Sequence, residues 1–109
     1  MKPAALATVS REIPADHPAF AGHFPGAPLL PGAALLAEVI EAALSLPTLA
    51  QHLGPSPGVA SAKFLAPVRP GAVIEIHYAH AAAGLRFEVR AGATLAASGQ
   101  LSPGVGDDA

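Results

Sequence analysis

The sequence predicts an α+β fold in which a curled antiparallel sheet wraps around one central helix. Three features carry that prediction. Residues 32–46 hold no proline and are apolar around nearly the whole helical circumference; residues 16–31 are interrupted by repeated prolines; and residues 59–101 fall into short runs of Val, Ile, Phe, Tyr and Thr separated by turn residues. With 51% of its 109 residues hydrophobic and 13% charged, the chain has apolar surface enough to offset the entropy of ordering. One domain over residues 1–102 is expected, with a flexible tail at 103–109 that has nothing to bury.

Each element follows in order. Residues 2–12 supply a first strand, weakened by alanines. Pro14, Pro18, Pro25, Pro28 and Pro31 then forbid regular helix and make residues 16–31 a stiff, irregular loop. Pro31 suits a helix start and Pro47 a helix stop. Between them the polar residues Glu38, Glu41 and Ser45 form one narrow stripe, and a helix otherwise made of Ala, Leu, Val and Ile reads as buried. A turn-rich loop over residues 52–58 leads to four strands at 59–66, 72–79, 85–91 and 94–101, broken by Pro67, Pro70-Gly71 and Gly84. In the second of these, Ile74, Ile76 and Tyr78 face one side and Val73, Glu75, His77 and Ala79 the other. One small flat sheet covers such a helix poorly, so the sheet must curl, and a second copy is expected to complete the wrapping.

Composition also excludes function classes. Zero cysteines remove disulfides, thiol catalysis and thiolate-bound metal. Six Lys and Arg spread along a chain of net charge −2 do not make a nucleic-acid footprint. No apolar run reaches bilayer-spanning length, and residues 1–15 lack the pattern of a signal peptide or lipid anchor, so no membrane and a cytoplasmic location are expected. His77 and His80 sit three apart on a strand and point to opposite faces, while His17 and His52 lie in loops without a ligand at metal-binding spacing. No metal and no cofactor are therefore expected. Lys63, Arg69, Arg86 and Arg90 are scattered basic residues that suit either a solvated face or an acidic partner.

The stretch that carries chemistry is residues 22–44, GHFPGAPLLPGAALLAEVIEAAL. Prolines at three-residue intervals fix the backbone and deliver His23 just ahead of a helix start. There the amide of Gly32 lacks an intrahelical partner and can receive a carbonyl oxygen that gains negative charge. A rigid histidine beside such a start is an acid/base site. Phe20 and Phe24 nearby are core residues by default, or candidates to line a substrate cavity.

At His23-Phe24-Pro25-Gly26, Pro28 and Pro31-Gly32 the chain resembles the hotdog-fold 3-hydroxyacyl-acyl-carrier-protein dehydratases, including shorter relatives associated with aryl polyene and related lipid pathways. Residues 64–71, FLAPVRPG, resemble the strand and turn after the helix in that family. The resemblance implies a dimer whose strands join into one sheet, sites at the dimer interface, and removal of water from a 3-hydroxyacyl thioester whose phosphopantetheine arm enters from a carrier protein. It assigns His23 as the base for the alpha proton and Gly32 as the amide that holds the thioester carbonyl. The family's acid lies five residues beyond that glycine, and this chain has Ala37 there.

Three readings follow from Ala37. Glu41, one turn further on the same helix face, replaces the acid, with Phe24, Gly32 and Ala37 lining the substrate site. Glu38 replaces it, although it lies about 100 degrees around the helix from position 37. Or no acid is present, and the chain is an acyl-binding subunit or the partner of an active dehydratase, in a homodimer or heterodimer. Thioester hydrolysis stands outside these three.

Overall fold

The computed structural model describes residues 6–16 and 30–104. Strand β1 (Ala7–Glu12) is followed by helix α1 (Gly32–Leu44), helix α2 (Pro47–Leu53) and strands β2 (Gly58–Phe64), β3 (Val73–Ala81), β4 (Gly84–Ala91) and β5 (Thr94–Ser102). All pairings are antiparallel and the sheet order is β1-β3-β4-β5-β2. The connection through α1 and α2 therefore carries the chain from one sheet edge to the other.

The expected facing of β3 is observed. Ile74, Ile76 and Tyr78 are fully buried, as are Leu85, Phe87 and Val89 on β4. Against this face α1 sets Leu35, Val39, Ala42 and Ala43, and α2 sets Leu49 and Leu53. The two buried alanines let α1 approach the sheet closely. Tyr78 crosses the gap, its hydroxyl donating to the Val39 carbonyl at 2.6 Å. Opposite Phe87 the partner residue on β5 is Gly99, where a Cβ would meet the Phe87 ring at 2.8 Å and collide with the Ser61 carbonyl oxygen. Register shifts between Val59 and Ser61 on β2 and between Val89 and Arg90 on β4 bend the strands, and such irregularities increase local twist and produce the curl.

Two expectations are corrected. Pro47 ends α1 and also starts a second helix: at the first helical position its missing N–H costs nothing, so the chain bends by 112° and continues. His52 consequently lies on α2, not in a loop, and its ring meets that of His80 edge-on with centroids 4.7 Å apart. Nor is α1 buried all round. Ala33, Ala37, Glu41 and Leu44 are exposed, because a single small sheet reaches only one side of a helix. That strip and the edge strand β2, with exposed Val59 and Phe64, are the surfaces a second chain would cover. No single described helix is long and apolar enough to cross a membrane. Gly104 donates to the Leu53 carbonyl at 2.8 Å, and residues 105–109, the bulk of the expected tail, lie outside the described residues.

Candidate functional site

The start of α1 is fixed from two sides. Leu30 donates to the Val68 carbonyl at 2.8 Å, tying the end of the proline-rich loop to the segment after β2, and the first helical bond runs from Leu35 to the Pro31 carbonyl at 3.0 Å. Pro31 provides no side-chain cap and the first turn carries no acidic residue. The amides of residues 32 to 34 are thus left without intrahelical partners at the positive end of the helix dipole. Beside them opens an apolar cavity of about 520 Å³, lined by Leu30, Gly32, Leu35, Phe64 and the segment from Ala66 to Val68.

Gly32 starts the helix, as the sequence predicted, and the structure also places it in the cavity wall. Ala37 is exposed on α1, about 7.5 Å along the axis from Gly32. Glu41 follows one turn later, and its side chain is 72% exposed. Its carboxylate accepts from the Arg11 guanidinium at 3.2 Å, and Glu38 stands 3.7 Å from the same nitrogen. Arg11 draws both candidate acids toward strand β1, and Glu41 is exposed in the single chain. His23, Phe20 and Phe24 lie outside the described residues.

Arg11 and Phe64 were missed as site residues. The signal for Arg11 was its parity: it follows Ala7 and Val9 on the helix-facing side of β1, where a charge must find a partner. Among the described residues no group of three or more His, Asp or Glu side chains is placed to hold a metal ion. Of the basic residues, Arg90 pairs with Glu88 at 3.7 Å on the outer face of the sheet.

A curled five-stranded antiparallel sheet carrying its long helix on the inner face, with a cavity at that helix's bare N-terminus, defines a hotdog-fold domain. The ApeI-like family model, described as ApeI dehydratase, matches residues 2–100, and the chain belongs to that family. It is 36% identical over 80 residues to the 3-hydroxyacyl-(acyl-carrier-protein) dehydratase FabZ of Chloroflexus aggregans, covering 70% of this chain, and 39% identical over 79 residues to that of Latilactobacillus sakei, covering 69%. The matched region spans 56% of each relative. Among solved structures, the dehydratase heterocomplex ApeI:P from Xenorhabdus doucetiae matches with a TM-score of 0.64 at 26% identity, over 94% of this chain and 97% of that one. An acyl-CoA hydrolase from Staphylococcus aureus shares the fold at a TM-score of 0.54 and 20% identity, over 94% of this chain and 64% of that one.

Proposed function

We propose that the chain binds a 3-hydroxyacyl thioester, delivered by an acyl carrier protein, and supports its dehydration to the trans-2-enoyl thioester. The observation that carries this reading is Gly32: an uncapped helix start in the wall of an apolar cavity, in a chain of a dehydratase family. The thioester carbonyl accepts from the Gly32 amide, and His23 takes the proton from C2. The C3–O bond breaks, the electron pair of the C2–H bond becomes the C2=C3 double bond, and the hydroxyl leaves as water after gaining a proton. Donors aimed at the enolate oxygen stabilise the charge as it forms. Glu41 is the proposed source of the last proton once a second chain covers the exposed strip of α1; Ala37 leaves that space open.

A second reading has specific support. With alanine at the acid position and a structural neighbour that is a dehydratase heterocomplex, the chain serves as the acyl-binding partner of an active, related dehydratase in a heterodimer. Turnover of a 3-hydroxyacyl thioester by the purified chain, beside His23→Ala and Ala37→Asp, separates the two. Activity that vanishes with His23→Ala supports the enzyme. An inert parent revived by Ala37→Asp supports the partner subunit. Three inert chains that bind no acyl thioester refute both.

A further inference from the structure

Resting on the thioester reading above, we propose that Phe64 is a positioning residue: a cover that shields the Gly32 amide from water and packs on the acyl group beside its carbonyl. Gly32 is not among the glycines of positive φ, so its backbone does not require glycine. Space does. A Cβ there would stand 2.8 Å from Cζ of Phe64 and 3.0 and 3.1 Å from its two Cε atoms. The ring tip fills the side-chain volume of the first residue of α1, in the wall of the cavity a thioester must enter.

The ring is held at one end only. Phe64 closes β2 opposite Ala97, and the next two amides, of Leu65 and Ala66, share the Ala96 carbonyl at 2.8 and 3.2 Å. That anchors the backbone. The residue is 50% exposed and is not part of the buried core. An amide that receives developing negative charge is far more effective in a site closed to water than in an open one, which gives the cover its purpose.

The test compares wild type, Phe64→Ala and Phe64→Leu by amide hydrogen exchange and by calorimetric binding of a 3-hydroxyacyl N-acetylcysteamine thioester. In Phe64→Ala, exchange at Gly32 is expected to rise about tenfold while Val89 in the central strand β4 is unchanged, and binding is expected to weaken about tenfold. Phe64→Leu is expected to recover most of both. Unchanged exchange at Gly32 in Phe64→Ala overturns the cover, whatever the ligand does. Faster exchange at Gly32 with no thioester bound by the wild type overturns the thioester reading instead, and the positioning role with it. A parallel rise at Val89 means global loosening and also overturns the proposal.

Discussion

Among the described residues, the hydroxyl of Tyr78 is the only polar side-chain group that bridges the sheet core and the backbone of α1, and Tyr78→Phe removes that one atom. Val39 lies in mid-helix, where its carbonyl keeps the regular intrahelical relationship with residue 43, so the loss is one neutral hydrogen bond with no stranded acceptor. The cost is about 1 kcal/mol, which lowers Tm by roughly 4 to 8 °C in a domain near this size. The pH dependence gives a sharper signature. Burial pushes the phenol well above its ordinary value, and the positive charge of Arg11 opposes this more weakly. The folded state thus keeps a proton that the unfolded chain loses near pH 10. Stability from this source is full below pH 10 and falls as pH rises through the alkaline range, by up to about 1.4 kcal/mol per unit. Tyr78→Phe lacks that slope. The two proteins are expected to become equally stable near pH 11, measured by urea denaturation at a series of pH values. Because the chain holds one tyrosine and no tryptophan, its near-ultraviolet absorbance follows this phenol alone. A phenol that ionises near pH 10 in the folded protein, or a stability gap that stays constant from pH 8 to 11, refutes the reasoning.

Further outcomes follow from other positions. Ala37→Asp, at an exposed helix site, costs no more than about 0.7 kcal/mol in stability, and on the partner-subunit reading, where the acid is missing, raises turnover of a 3-hydroxyacyl thioester by roughly 10² to 10⁴; an unchanged rate contradicts the missing-acid argument. Gly99→Ala forces a methyl against the Ser61 carbonyl and the Phe87 ring, and is expected to lower urea stability by about 2 to 3 kcal/mol, where a loss below about 0.5 would show that β2 yields freely. Arg11→Met breaks two partly exposed ion pairs, so thermal unfolding is expected to register less than about 1 kcal/mol. If Glu41 is the acid, freeing its carboxylate changes turnover without a comparable change in stability.

Much of the fold was legible because local rules agreed with one another. Alternation from Val73 to Ala79 set the faces of β3, and the absence of proline from Gly32 onward set α1. The second helix was not legible. Proline stops one helix and starts the next by the same chemistry, and only the room beside β4 decided that Pro47 does both. The site was half legible: motif spacing located Gly32, but not the ring that occupies its side-chain space from the far edge of the sheet.

By itself the sequence determined the class of the fold, the family, the absence of thiol chemistry and the alanine at position 37, since these depend on residue type and spacing along the chain. Tertiary structure alone decided which side of α1 is covered, that Arg11 holds Glu38 and Glu41, and that Phe64 lies over Gly32. Each of those is a meeting between residues about 30 or more positions apart, brought together by a sheet whose edges are joined through the helices, and no local pattern encodes such a distance.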